Sequence, residues 1–179
     1  MEFSQYDEKK ATQVAAYFLS KLSNRSSKLK LMKLMYIADR ESFRVCGEPI
    51  TYDEYYSMQN GPVLSKTYDI MKGDSERSYW NDFIIQKNPR ELVLINNPGI
   101  GKLNQEEMEI LDGVLAKFGS CTPSELRNIT HKFPEYVETN SSKKIDYRQI
   151  MHGVGIPPKE IEQLLKSYSE AIDIWGLWA

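Results

Sequence analysis

The feature that most constrains the fold is a segment starting at Lys28 that is apolar on almost every side when wound into a helix. Only Lys30 and Lys33 interrupt its first half. A helix that is hydrophobic around its whole circumference is buried in the middle of a domain rather than laid on its surface. We therefore expect a central helix, built on Leu29, Leu31, Met32, Leu34, Met35, Tyr36, Ile37 and Ala38.

Glycine and proline predict where this helix ends. Gly47 marks the end because glycine commonly stands just past a helix C-terminus, and Pro49 cannot continue the helix. Asp39 lies on the same side of the helix as Tyr36 and Phe43. We expect its carboxylate to accept hydrogen bonds from the loop that follows.

An aromatic segment comes next, and it ends at a sharp turn. Residues 52–58 are rich in tyrosine, which is typical of an extended strand. Residues 60–63 read Asn-Gly-Pro-Val and predict a turn. We expect Pro62 in the first turn of a new helix, where its missing N–H costs nothing. Apolar residues recur at helical spacing after it, namely Leu64, Tyr68 and Met71.

Elsewhere the patterns predict a β-hairpin and a first helix. Asp7 is expected to cap the first helix. Residues 83–86 and 92–95 are β-branched runs, and residues 87–90 join them as in a hairpin. Residues 55–58 could add a third strand to it.

The C-terminal half predicts four more helices. Capping patterns at Asn104 and Thr122 open two of them. Residues 137–144 are polar and are expected to form a flexible link. A short helix capped by Asp146 and a last helix starting at residues 157–158 complete the chain.

Composition places the chain among single globular domains. Its 179 residues, 41% hydrophobic and 27% charged, suffice for one domain with a sizeable core. A net charge of −2 argues against a protein devoted to coating nucleic acid. Two cysteines make no disulfide framework, so a reduced cytoplasm is the expected compartment. Neither a signal peptide nor a membrane span is expected.

No pattern of catalytic or metal-binding residues stands out. Cys46, Cys121, His131 and His152 are too scattered for a zinc pattern, which needs ligands at short spacings. Residues 99–102 lack the spacing of a phosphate-binding loop. We therefore expect a binding module without cofactor or metal rather than an enzyme. A hydrolase using Cys121 and His131 is kept as an alternative, and His131 is expected at a helix end, partly positive.

Several short motifs follow one another along the chain. They are Lys30-Leu31-x-Lys33-Leu34-x-Tyr36-x-Ala38, Gly47-x-Pro49-Ile50, Gly61-Pro62-Val63 and Tyr68 before Lys72. In this order and spacing they resemble the Panacea domain, the SocA-like antitoxin domain. The resemblance continues through residues 103–111 and 125–131 and covers about residues 10–135. One departure is visible: the family often carries an aromatic residue shortly before the Gly-Pro pair, and residues 57–60 have none.

The resemblance implies an antitoxin of a toxin–antitoxin system that neutralises a protein toxin by direct binding. It would act by occlusion or as a proteolytic adaptor. The expected partner is the cognate toxin, and a homodimer is a further possibility. The alternative is a winged-helix-like transcriptional regulator that binds DNA.

We predict an α+β fold, mainly α-helical, in which helices surround the buried central helix beside a small antiparallel β-hairpin or sheet, in a winged-helix-like arrangement. The Panacea-like domain is expected at residues 1–136. Residues 137–179 are expected to form a C-terminal helical extension packed on the same domain.

Two sets of candidate binding residues follow from these readings. For a protein partner they are Tyr52, Tyr55, Tyr56, Gly61, Pro62, Trp175 and Trp178. A structural role in turning the chain, and packing of the last helix on its own domain, stay open for these residues. For nucleic acid they are Lys30, Lys33, Arg40 and Arg44 on the central helix, with Lys87 and Arg90 on the hairpin. Ordinary solvated charges are the other reading of this second set.

Overall fold

The computed structural model of the protein describes residues 6–74 and 78–176, with side chains as far as residue 171. These residues form a mainly helical α+β fold, as predicted, with two antiparallel sheets of three strands each. In chain order the elements are α1 Glu8–Lys21, β1 Arg25–Ser27, α2 Lys28–Cys46, β2 Tyr55–Met58, β3 Gly61–Leu64, α3 Ser65–Lys72, a 3₁₀ helix Tyr79–Asp82, β4 Ile84–Asn88, β5 Glu91–Leu94, α4 Gln105–Phe118, α5 Pro123–Thr130, β6 Ser142–Ile145, α6 Tyr147–Gly153 and α7 Pro158–Gly176.

α2 is the central helix that its apolar sequence predicts. Residues 31–39 are all buried, and α4 and α5 pack against the helix. Ser27 caps its first turn by accepting a hydrogen bond from the backbone N–H of Lys30. Gly47 ends it in a left-handed conformation with φ 77°, which glycine adopts without a side-chain clash. The helix therefore starts at Lys28 and ends just before Gly47, as predicted from the sequence.

The first sheet has the strand order β1-β5-β4 and contains the predicted hairpin. Its third strand is β1, which pairs Arg25 with Val93. The prediction that residues 55–58 extend this hairpin was wrong. Ser23 and Asn24 have φ values of 61° and 62°, and this tight turn brings β1 beside β5 immediately before α2.

The second sheet has the order β3-β2-β6 and packs on α2 through β3. Pro62 lies in β3 opposite Ser57, so its placement in a helical first turn was wrong, and α3 begins at Ser65. β3 is an edge strand of this sheet, where a residue without an N–H is tolerated. Residues 142–144 belong to β6 rather than to a flexible link, because they pair with residues 56–58 of β2.

The predicted helix caps are confirmed at each of the four proposed positions. Asp7 accepts a hydrogen bond from the Lys10 N–H. Asn104, Thr122 and Asp146 each form a complete capping box.

The last two helices pack on the rest of the chain. α6 contacts α2, and α7 contacts α6. Ile161 and Leu165 of α7 are buried, and the Tyr168 hydroxyl donates to the Gly47 carbonyl. The described apolar residues of α7 therefore pack on the rest of the chain, which is the structural alternative weighed for the last helix. The Trp175 side chain and Trp178 lie outside the described residues, and the division at residue 136 stays a prediction.

Candidate functional site

Lys33 lies at the centre of the molecule's most unusual polar arrangement. Its side chain is completely buried, and its Nζ donates a 2.6 Å hydrogen bond to the carbonyl of Pro62. Burial, and then the nearby Arg127, lower the pKa of Lys33 from 10.5 to about 7. The prediction that Lys33 belongs to an exposed cationic face was wrong. Inside the core, the Lys33 amine donates a hydrogen bond to the carbonyl of a residue that is distant in sequence.

Gly61 makes room for this contact. Its φ of 98° is in the region that residues with a Cβ rarely adopt. A Cβ on Gly61 would stand 2.9 Å from Thr130 Oγ1 and 3.0 Å from Lys33 Nζ. The Gly-Pro pair thus brings the β2–β3 turn close to both α2 and α5, so the structural role weighed for these two buried residues is the one observed.

Asp39 ties the loop after α2 to the helix, as predicted. Its carboxylate accepts from the backbone N–H groups of Ile50 at 3.0 Å and Thr51 at 3.1 Å. The hydroxyls of Thr51 and Tyr55 donate to its other oxygen at 2.5 Å and 2.7 Å. Burial raises the pKa of Asp39 to about 6, although these hydrogen bonds oppose the shift. Tyr55 is buried in this network and is not available to a partner.

A second buried acid, Asp53, fixes the start of α3. It accepts hydrogen bonds from the Lys66 N–H at 2.9 Å, the Thr67 N–H at 2.9 Å and the Thr67 hydroxyl at 2.7 Å. It thereby caps a helix whose own N-cap position is Leu64. Burial raises the pKa of Asp53, and the bonds from Thr67 oppose the shift. No pattern in the sequence indicates this contact, because Asp53 is remote from the cap position.

The remaining cations predicted on α2 each have a partner, either elsewhere in the protein or, for Arg44, on α2 itself. Arg40 pairs with the buried Glu135 at 2.7 Å, and Glu135 also accepts a 3.1 Å hydrogen bond from the Tyr36 hydroxyl. Arg44 pairs with Glu41. Lys30 donates to the Gly119 carbonyl at 2.6 Å. These cations therefore do not form one continuous open face, because Lys33 is buried and the other three already have partners, and nucleic-acid binding stays an untested alternative.

An open groove of about 670 Å³ lies beside the Gly-Pro turn, and we call it the corner groove. The first turn of α2, the β2–β3 turn, α3, the β4–β5 turn and the start of α5 form its walls. Its apolar lining consists of Leu29, Met32, Met58, Val63, Tyr68, Pro89 and Pro123. Lys28, Lys33 and Arg90 are its cations, and none of its described lining residues is an Asp or Glu.

The other predicted residues lie around this centre without forming one site. Tyr52 and Tyr56 are half-buried, and Tyr52 has φ 54° with its hydroxyl donating to Glu48 at 2.5 Å. Lys87 and Arg90 are both exposed on the hairpin, and Arg90 borders the corner groove.

His131 stands at the end of α5, as predicted, and stacks on the Tyr136 ring at 4.4 Å between centroids. Burial, with Arg127 and Lys33 nearby, lowers the pKa of His131, which opposes the partial positive charge expected there. The alternative hydrolase role with Cys121 stays a prediction.

Neither a metal-binding cluster nor a membrane-spanning helix is found among the described residues. In residues 6–74 and 78–176, no group of three or more His, Cys, Asp or Glu side chains is placed to hold a metal ion. Among the helices described, none is long and apolar enough to cross a membrane.

Comparison with known proteins gives one match. A family model described as the SocA-like antitoxin, Panacea domain, covers residues 31–136, which is more than half of the chain. No curated protein and no solved structure matches the chain. The matched segment starts inside α2 and ends after α5, so it includes most of the residues that line the corner groove.

Proposed function

The chain belongs to the family of SocA-like antitoxins with a Panacea domain, and from this premise we propose that it neutralises a cognate protein toxin by binding it directly. The family match over residues 31–136 is the observation that carries this proposal. The toxin would be the product of a neighbouring gene, since the two members of such a pair must be made together.

The architecture supports a binding role in two ways. First, the buried acids Asp39 and Asp53 are each surrounded by donors that hold loops, so they act as structural acceptors. Second, the corner groove offers both apolar surface and unneutralised positive charge on elements of the matched segment. Protein interfaces combine these features, with apolar side chains at the centre and charges that select the partner.

Co-expression tests the proposal. Products of the adjacent genes are induced one at a time in a heterologous host, with the chain, with an empty vector or with an unrelated acidic protein of similar size. We expect one product to arrest growth and only this chain to restore it. Size-exclusion chromatography with light scattering should then give a complex of the two purified proteins. Failure to rescue any toxic neighbour, or rescue without a complex, contradicts the proposal.

The same cells separate occlusion from delivery to a protease. We expect the tagged toxin to keep its level when the chain is present, because an occluding antitoxin leaves the toxin intact. A fall in toxin level that depends on a host protease would instead show the adaptor mechanism.

A further inference from the structure

We propose that the corner groove holds an acidic, apolar segment of the toxin. An aliphatic or aromatic side chain of that segment lies against Met58 and Tyr68, and a neighbouring Asp or Glu carboxylate lies at Lys28 and Arg90. This inference rests on the proposed function, because its occupant is the toxin, and it adds the place and the chemistry of recognition.

The groove carries positive charge without an Asp or Glu among its described lining residues. Elsewhere, some cations have a carboxylate partner, as in the pairs Lys10–Glu107, Arg40–Glu135, Lys72–Asp69, Lys102–Asp7 and Arg148–Glu162. In the groove, Lys28 Nζ donates to the uncharged Gln86 side chain at 2.6 Å, and Lys33 Nζ donates to a carbonyl. Arg90 forms no ion pair with any described residue. Lys33 is buried in its bond to Pro62, so the accessible cations of the groove are Lys28 and Arg90. Two accessible cations without a carboxylate partner among the described residues favour an anionic partner.

The apolar lining indicates that this partner is a protein segment. Leu29, Met58 and Tyr68 are only partly buried and leave apolar surface open to water. A nucleic-acid phosphate backbone would contact the cations but would leave the apolar lining exposed to water. A segment that carries an apolar side chain next to a carboxylate covers both, and methionine adapts its shape to such a side chain. The volume of about 670 Å³ is within the range of pockets that enclose ligand groups.

The groove is also held in shape before any partner arrives. The Lys28 N–H donates to the Arg90 carbonyl at 2.8 Å and joins the start of α2 to the hairpin turn. Ser27 pairs with Glu91 in the first sheet. On the other wall, Lys33 fixes the Gly-Pro turn through Pro62. A preformed site loses little conformational freedom on binding, so more of the contact energy remains as affinity.

Charge reversal at the rim tests the proposal with a matched control. Arg90→Glu reverses an exposed cation of the groove, and Lys159→Glu makes the same change on α7, outside the groove lining. Met58→Ala removes an apolar contact. The probe is the toxin that the wild-type chain neutralises in the co-expression experiment, and the dissociation constant is measured by calorimetry with purified full chains. Thermal unfolding of each variant checks that the fold is kept.

We expect Arg90→Glu to weaken toxin binding roughly 10- to 100-fold, Met58→Ala about fivefold, and Lys159→Glu less than twofold. Among toxin variants that stay toxic, an Asp or Glu changed to Lys should restore binding to Arg90→Glu. Unchanged toxin affinity in folded Arg90→Glu overturns the groove proposal and leaves the antitoxin function standing. If the wild-type chain binds no neighbouring product, both proposals fall. Loss of duplex DNA binding, or of a homodimer, with intact toxin binding would assign the groove to that other occupant and overturn ours.

Discussion

Gly61→Ala is the substitution that most directly tests the packing of the Gly-Pro turn on α2 and α5. The new methyl group would stand 2.9 Å from Thr130 Oγ1, 3.0 Å from Lys33 Nζ and 3.1 Å from Lys33 Cε. Neither neighbour moves away easily, because Thr130 is buried and the Lys33 amine is bonded to Pro62. The backbone adds strain, since φ is 98°.

The expected cost has two parts. A left-handed conformation costs about 1–2 kcal/mol for a residue with a Cβ. Overpacking a filled core costs about 1–3 kcal/mol more. We expect Gly61→Ala to lower the free energy of unfolding by about 2–5 kcal/mol, a large share of the stability of a typical domain.

Gly99→Ala is the matched control, because Gly99 has φ 75° but no atom within 4 Å of the position that a methyl group would take. Gly99→Ala has only the cost of the left-handed conformation, so we expect it to lower the free energy of unfolding by about 1–2 kcal/mol. Urea denaturation followed by circular dichroism gives both values. The combination of Gly61→Ala with Thr130→Ala removes the nearest atom and should recover about 0.5–2 kcal/mol relative to the sum of the single changes. Equal losses for the two alanine variants, or strict additivity with Thr130→Ala, would refute the close packing described for Gly61.

Three further predictions concern buried charges. Lys33 has a pKa of about 7 in the folded chain and about 10.5 when unfolded, so the unfolded chain binds more protons between these values. The free energy of unfolding of the wild type relative to Lys33→Met should therefore rise from pH 7 to pH 10, by at most about 1.4 kcal/mol per pH unit. Below pH 7 this difference should stay constant at its lowest value. Urea denaturation curves across this pH range measure the difference, and a value that does not change with pH contradicts the prediction. Asp39→Asn places an amide donor against hydroxyl and N–H donors and should lower the free energy of unfolding by about 2–4 kcal/mol, measured as a lower urea midpoint. An unchanged midpoint would mean that contacts other than those of Asp39 hold the loop after α2. Glu135→Gln should cost about 1–3 kcal/mol because it leaves Arg40 without its carboxylate, while Glu41→Gln on the exposed helix surface should cost less than about 0.5 kcal/mol; equal effects would show that burial adds nothing to the first pair.

The sequence predicted the features that depend on residues close together in the chain, namely helix caps, the buried central helix and the contact of Asp39 with the next loop. The capping residues Asp7, Asn104 and Thr122 act where their spacing indicates. The apolar run predicted that α2 is buried, and the position of Asp39 predicted that it would bond to the following loop. These features depend on residues that are close in sequence, so their periodicity and spacing carry the information.

Long-range contacts account for what the sequence did not predict. From the sequence, Lys33 was interpreted as a surface charge. In the structure, β3 places the carbonyl of Pro62, which is 29 positions later in the chain, next to the Lys33 amine. Pro62 follows the rule for helix starts, yet pairing with β2 places it in a strand. β1 and β6 are too short to show a strand period and become strands only through their partners. The corner groove depends on five separate elements, so no single stretch of sequence indicates it.

The way the two sheets are completed has a consequence for where the molecule can be cut. Residues 31–136, which the family model matches, contain neither β1 nor β6, so each sheet would lose one of its three strands in a fragment with those ends. β2 would then expose the backbone N–H and C=O groups that now pair with β6, and an unpaired strand edge invites association with other chains. The matched segment is thus shorter than the two sheets of the described fold, and β6 covers a strand edge that would otherwise be open to other chains.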